Sequence, residues 1–258
     1  MTIDLRGRPF RLFPKDVIGG QILRFGLFDL VVTEALTRLA SRGEIVLEVG
    51  ANIGFMSRVL ADAVGHDGHV FSFEPHPAVY EDLVANCSEP NIRLYNVAVS
   101  DSPGVGDLFV PSEFSDNRGV SSLDHSAGAS SIEVPLVRLD DLFPNDSYVG
   151  VMKIDIEGHE MEALRGCSSL LSERRVRDIV FEDHNAHNSE VIQHFQSLDY
   201  TIFRLAKRFR GPRLLGLAAP ARESSWESPS FLATSDPTRA ISLLHSPGWR
   251  GLRPRPSS

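Results

Sequence analysis

The chain has 258 residues, with 26 Lys and Arg against 34 Asp and Glu, a net charge of −8 and 42% hydrophobic residues. This suits one large globular domain, or one domain with extensions. No run approaches the ~18 apolar residues of a membrane span, and the N-terminus lacks the apolar core of a signal peptide. Cys87 and Cys167 are too few and too isolated for a disulfide framework or a zinc site and read as core hydrophobes. A cytoplasmic protein without nucleic-acid or membrane partners is expected. The arginine excess over lysine is read as compositional bias. Ten basic and three acidic residues from Arg204 onward read as a solvated hairpin and tail.

In chain order, residues 1–43 form a helical extension, with an amphipathic helix over 28–39. A first core strand over 44–49 runs into Gly50-Ala51-Asn52-Ile53-Gly54 and a helix over 55–64. A turn at 65–68, a strand over 69–73, a helix over 78–87 and a strand over 92–97 follow. This β-α-β-α-β run with short loops predicts a parallel sheet with right-handed crossovers. The polar segment 100–135 reads as a β-hairpin insertion, with strands at 107–110 and 131–137 around a loop at 112–130. Beyond a helical turn at 139–142, strands are expected at 150–154 and 178–181, with helices over 159–171 and 189–198. An antiparallel pair, 201–205 and 230–234, joined by an irregular basic loop, closes the domain over 44–235. Residues 236–258 read as a tail, a short helix plus disorder.

Ligands of open α/β sheets lie beyond the carboxyl ends of the strands. The polar residues at those ends are Glu48 and the glycine loop, Glu74 in FEPH, Asn96 in NVAVSD, Asp155, Glu157, His159 and Glu160 in KIDIEGHE, and Glu182, Asp183 and His184 in FEDH. Glycines allow close backbone approach, and the helix N-terminus offers free N–H groups. The loop is G-x-x-x-G and fits the dinucleotide fingerprint G-x-G-x-x-G poorly. Glu74, about 20 residues on at the next strand end, is placed to accept hydrogen bonds from both ribose hydroxyls of an adenosine cofactor.

The set LEVGANIG, FEP, NVAVSD, LDDL and KIDIEGHE, in this order and spacing, resembles the FkbM family of S-adenosylmethionine-dependent methyltransferases over about 43–234. The resemblance implies an α/β, Rossmann-like, seven-stranded and mostly parallel sheet with one antiparallel strand, helices on both faces and a hairpin insertion after strand three. It implies O-methylation of hydroxyls on sugars, macrolides and similar natural products or glycolipids, hence a small-molecule acceptor. Gly50, Asn52 and Gly54 then line the methionine and ribose side of the cofactor, with Glu48, Ala51 and Pro75 in the same set. Glu74 takes the ribose, Asn96, Val97 and Ala98 lie beside the adenine, and Asp155 lies near the transferred methyl. Glu48 stands where the family pattern usually has aspartate.

An aliphatic hydroxyl is a weak nucleophile, so a general base is useful. His184, His159, Asp155 and Glu157 are the candidates, His184 foremost. A Mg²⁺ site from Asp155 with Glu182 or Asp183 is the minor alternative. Phe25, Phe28 and Trp226 could line an acceptor pocket, but aromatic residues are more often core, and they are left unassigned. A nicotinamide oxidoreductase lacks its fingerprint here, and a binding module without turnover is the non-enzyme reading. A homodimer is allowed.

Overall fold

A computed structural model describes residues 1–110, 123, 130–183, 189–219 and 229–251. The chain opens with a hairpin, β1 (Thr2–Leu5) and β2 (Arg8–Arg11), then α1 (Val17–Phe25) and α2 (Leu30–Leu39). The alternating region is β3 (Ile45–Val49), α3 (Phe55–Val64), β4 (His69–Phe73), α4 (Pro77–Asn86) and β5 (Ile92–Tyr95). Next come β6 (Ala98–Val99), β7 (Gly104–Val110), β8 (Ser130–Val137) and α5 (Leu139–Leu142). Then follow β9 (Val149–Ile154), α6 (Glu160–Arg165), α7 (Ser168–Ser172), β10 (Val176–Glu182) and α8 (Glu190–Ser197). The chain closes with β11 (Thr201–Arg208), β12 (Gly211–Gly216), β13 (Ser230–Thr234) and α9 (Pro237–Leu244).

The main sheet has the order β12-β11-β13-β10-β9-β3-β4-β5. β5, β4, β3, β9 and β10 run parallel, while β13 is antiparallel to both β10 and β11. The expected seven strands are therefore eight, and two of them, β13 and β12, run against the rest. The difference is β12, which pairs on β11 from within the expected irregular loop. Apolar Leu205 and Leu214, buried at 6% and 7% exposure, anchor this extra hairpin to the core. The hairpin insertion is present as β7 and β8, and β6 joins it in a separate three-stranded sheet.

Side chains alternate faces along each strand, so the central strands are apolar on both. Val46, Val70, Val151 and Val180 pack with α2, α3, α4 and α9. Leu47, Met152, Ile179 and Phe181 pack with α6, α7 and α8. Those last helices were expected as one run over 159–171, which is interrupted at Gly166 and Cys167. A Cβ at Gly166 would meet the Ser100 carbonyl oxygen at 2.0 Å, and Asp140 accepts from Ser169 N and Leu170 N to cap α7.

The flanking segments are built into this core. α2 buries Val31, Val32, Ala35, Leu36 and Leu39, and carries a fully buried ion pair, Glu34 with Arg38. Arg38 donates to the carbonyls of Leu243, Ser246 and Gly248, and Glu34 accepts from the backbone N–H of Arg250 and Gly251. Residues 236–251, read as the start of a tail, are thereby clamped onto α2. No helix among the described residues is long and apolar enough to cross a membrane.

Candidate active site

Strand order reverses between β3 and β9. From β3 the chain moves outward through β4 and β5, then returns to start β9 on the other side of β3. The crevice beyond the carboxyl ends at such a switch point is where an open α/β sheet binds its ligand. A cavity of about 220 Å³ lies there, lined by the ends of β3, β4, β9 and β10, by β6, and by Val17, Ile18 and Phe28 of the N-terminal segment.

The loop after β3 shapes its floor. Gly50 has φ +84°, and a Cβ there would meet the Asp155 carbonyl oxygen at 1.9 Å, so conformation and close approach both select glycine. The N–H groups of Gly50 and Ala51 donate to the Phe73 carbonyl. Asn52 is also left-handed (φ 48°), with its side-chain oxygen accepting from Ile53 N. Gly50, Ala51 and Asn52 line the cavity. Gly54 instead faces the protein: a Cβ there would meet Cys87 Sγ at 2.6 Å and Leu83 at 2.7 Å. It starts α3 and lets α4 pack beneath the loop.

Glu74 lies at the end of β4. Its two carboxylate oxygens accept from Asn52 N (3.0 Å) and His76 N (2.9 Å). Burial pushes its pKa up to about 7, against the pull of those two N–H donors. Pro75, Val97 and Ala98 line the cavity beside it. Asn96 does not line it. Its amide donates to the carbonyls of Glu74 and Pro75 (2.8 and 2.9 Å), holding the strand-end turn, so it acts on the site through the backbone.

Glu48 of β3 is buried. Ser57 and Ser72 donate to its Oε2, while Oε1 is buried with no hydrogen-bond partner. Burial pushes this group up to about 7 as well, opposed by Lys153 and the two hydroxyls.

Lys153 is the residue that sequence reasoning missed, although KIDIEGHE contains it. It pairs across the sheet with Glu48 on one side and Val180 on the other. By the two-residue alternation it shares a face with Glu48 and Glu182, the face covered by α2 and α3. Nζ donates to Asp155 Oδ2 (3.0 Å) and to the Gly50 carbonyl (3.2 Å). Burial alone would lower its pKa, but the carboxylates of Asp155 and Glu48 outweigh it and hold the ammonium above its usual range. A lysine inside an otherwise apolar strand was the available signal.

Asp155, Glu157 and His159 all line the cavity. Glu157 is left-handed (φ 48°), which places a strained non-glycine residue in the wall. His159 Nε2 is 3.0 Å from Ser100 Oγ. Glu182 lines the far side, its pKa pushed up to about 8 by burial and then by Asp155 and Asp29, with Lys153 opposing. Asp183 is turned away and bonded to Ser189 Oγ. Of the carboxylates of the Mg²⁺ alternative, Asp155 and Glu182 thus line the same cavity and Asp183 does not, and no group of three His, Cys, Asp or Glu among the described residues is arranged to hold a metal ion. Phe28 lines the cavity, whereas Phe25 is 63% exposed. His184 and Trp226 lie outside the described residues.

The cavity offers what a nucleoside–amino-acid cofactor needs. Glu74 retains free lone pairs for ribose hydroxyls. Phe73, Pro75 and Val97 give an apolar slot for a base. The orphan Glu48 Oε1 is a buried acceptor for an ammonium.

The Methyltransferase FkbM domain matches residues 48–206. The hexuronic acid methyltransferase AglP of Haloferax volcanii is 26% identical over 156 residues, and the match spans 59% of this chain and 61% of that protein. Among solved structures, a SAM-dependent O-methyltransferase from Thermotoga maritima shares 13% identity at a TM-score of 0.49, over 83% of this chain and 69% of that one. A precorrin-6Y C5,15-methyltransferase from Geobacter metallireducens shares 14% at 0.46, over 88% and 95%. With the family domain covering more than half of the sequence, the chain belongs to the FkbM methyltransferase family.

Proposed function

We propose that the protein transfers a methyl group from S-adenosylmethionine to a hydroxyl of a small molecule. The observation that carries this is Glu74, whose two oxygens are fixed by Asn52 N and His76 N at the rim of the glycine loop, where a ribose diol would lie. AglP's hexuronic acid substrate makes a sugar hydroxyl the first acceptor class to test.

When bound, the cofactor supplies an electrophilic methyl on a sulfonium. The chain's residues position and discharge. Glu74 would hold the ribose, Glu48 Oε1 the methionine ammonium, and the Gly50–Asn52 backbone the methionine side of the ligand. Asp155, fixed by Lys153, would offer negative charge to the sulfonium. Alignment of the acceptor oxygen supplies much of the rate, since well-oriented reactions gain about 7–11 kcal/mol from proximity. Two lining groups can take the acceptor proton, the Asp155 carboxylate and the His159 ring. Their separation comes from pH–rate profiles of Asp155→Asn and His159→Ala.

The test is label transfer from methyl-labelled S-adenosylmethionine to a panel of hydroxylated acceptors. A product methylated on oxygen supports the reading. Failure of S-adenosylhomocysteine to bind the purified protein removes it.

A further inference from the structure

Among the described residues Phe209 is the most exposed large apolar side chain, at 99%. It stands at the turn between β11 and β12, flanked by Arg208 and Arg210, which are exposed as well. The turn is anchored: the Arg210 carbonyl accepts from Gly248 N (2.7 Å), and a Cβ at Gly211 would meet the Gly248 carbonyl oxygen at 2.7 Å. The fold thus presents a phenyl ring to solvent at a turn where a polar residue would serve the fold equally.

The strand register shows where this turn points. Arg204 of β11 pairs with Phe231 of β13, and Phe231 pairs with Phe181 of β10, so Leu205 is level with Glu182 at the end of β10. β11 runs on for three more residues, roughly 10 Å, past the carboxyl end of the sheet that carries the cavity. α1 adds a second apolar surface at this end. Val17 and Ile18 line the cavity, and the exposed Phe25 lies two turns after Ile18 on the same side of the helix. Leu23 is also exposed, and the Arg24 guanidinium lies 5.3 Å from the centre of the Phe25 ring.

Charge identifies what these surfaces fit. The sequence has no acidic residue between Asp16 and Asp29 or between Asp199 and Glu223, although the whole chain carries −8. Each exposed phenyl ring therefore comes with arginine from its own segment and without a carboxylate. Apolar side chains beside cations match an anionic lipid surface, where rings enter the acyl boundary and guanidinium groups stay at the phosphates. A nucleic acid supplies the phosphates but no apolar phase for Val17 and Leu23. A second copy in an isologous contact sets these arginines against their own kind. We infer that this end of the molecule seats on an anionic bilayer surface, with Phe209 and Phe25 inserted and Arg208, Arg210 and Arg24 at the headgroups. The inference departs from the expectation of no membrane partner and does not need the methyl-transfer reading.

The experiment mixes the full chain with vesicles of phosphatidylcholine alone or of phosphatidylcholine with phosphatidylglycerol, and measures the fraction that sediments with them. Binding to the charged vesicles is expected to be tighter by about tenfold or more, since several arginines act together there, and to weaken with added salt. Phe209→Ser and Phe25→Ser should each lower it by roughly tenfold. Arg208→Glu with Arg210→Glu should remove the preference for the charged vesicles, whereas Phe209→Trp should retain binding. All these side chains are exposed, so circular dichroism should show folded variants. Four results overturn the inference: no sedimentation with the charged vesicles, binding that neither Phe209→Ser nor the double arginine variant moves, tighter binding to a single-stranded oligonucleotide than to the charged vesicles, or a dimer in solution that Phe209→Ser dissociates. No methyl transfer is read, so the outcome stands apart from that of the label-transfer test.

Discussion

Lys153 Nζ lies 3.0 Å from Asp155 Oδ2 and also reaches the Gly50 carbonyl, so one buried ammonium ties the end of β9 to the loop after β3. The tie crosses the switch point of the sheet and forms the floor of the cavity. It also balances the carboxylates that crowd this end of the strands.

Lys153→Met keeps an unbranched side chain one atom shorter and removes the charge. The variant leaves Asp155 unpaired beside Glu48 and Glu182. Breaking a buried pair costs about 3–5 kcal/mol, and the 31% exposure of the Asp155 side chain puts the expected loss at the lower end. Urea unfolding reads the stability. The turnover rate should fall with it, because Asp155 loses its orientation. A variant as stable and as active as the parent would show that the tie is incidental.

Glu74→Gln preserves the shape but weakens both the turn and the ribose site. Hydrogen bonds to a charged group contribute about 1.5–3 kcal/mol each, so S-adenosylhomocysteine affinity should drop by roughly 10-fold to 150-fold. Titration calorimetry measures it, with circular dichroism as the check on folding. Unchanged affinity would remove Glu74 from the cofactor site.

The parallel core and the glycine loop were legible because their signals are local. Apolar runs such as IVLEV and VGVMKI mark strands buried on both faces, and the following Gly or Asp marks the carboxyl end. What escaped depends on distant partners. Arg38 reads as a solvated helix residue until the carbonyls of residues 243–248 close on it. Asp140 in LDDL reads as part of a helical turn, yet it caps a helix about 30 residues later. Asn96 has the right strand-end position for a ligand contact, but its amide is spent on two carbonyls. Lys153 reads as one basic residue in a motif, and only the register of β3, β9 and β10 shows it to be central.

Gly50→Ala and Gly216→Ala form a matched pair. At Gly50 the added Cβ meets the Asp155 carbonyl oxygen at 1.9 Å and must adopt φ +84°. Backbone displacement there moves both halves of the switch point, and strain of this kind costs on the order of 1–3 kcal/mol before any clash. At Gly216 nothing lies within 4 Å and φ is ordinary. Thermal unfolding should show a clear loss for Gly50→Ala and little change for Gly216→Ala, with cofactor binding lost only in the first. Equal effects would contradict the geometry of the loop.

Three carboxyls, Glu48 and Glu74 buried and Glu182 half-buried, make the protein sensitive to pH near neutrality. Glu48 and Glu74 titrate at about 7 and Glu182 at about 8, each raised mainly by burial from an ordinary value of 4.5. Between about 4.5 and 8 the folded chain therefore binds more protons than the unfolded chain. Stability contributed by these groups is full below the lower value and is lost as pH rises through the upper ones. The melting temperature of the cofactor-free protein should accordingly fall from pH 5 to pH 8, and Glu48→Gln should flatten the slope. Cofactor binding reverses the balance, since an ammonium and a sulfonium favour the ionised carboxylates. S-adenosylmethionine should bind more tightly at pH 8 than at pH 6 and release protons at pH 7. Calorimetry in two buffers of different ionisation heat counts those protons. S-adenosylhomocysteine, which lacks the sulfonium charge, should release fewer. Proton uptake on binding, or equal release by the two ligands, would mean that the carboxylates at the floor of the cavity do not face the sulfur.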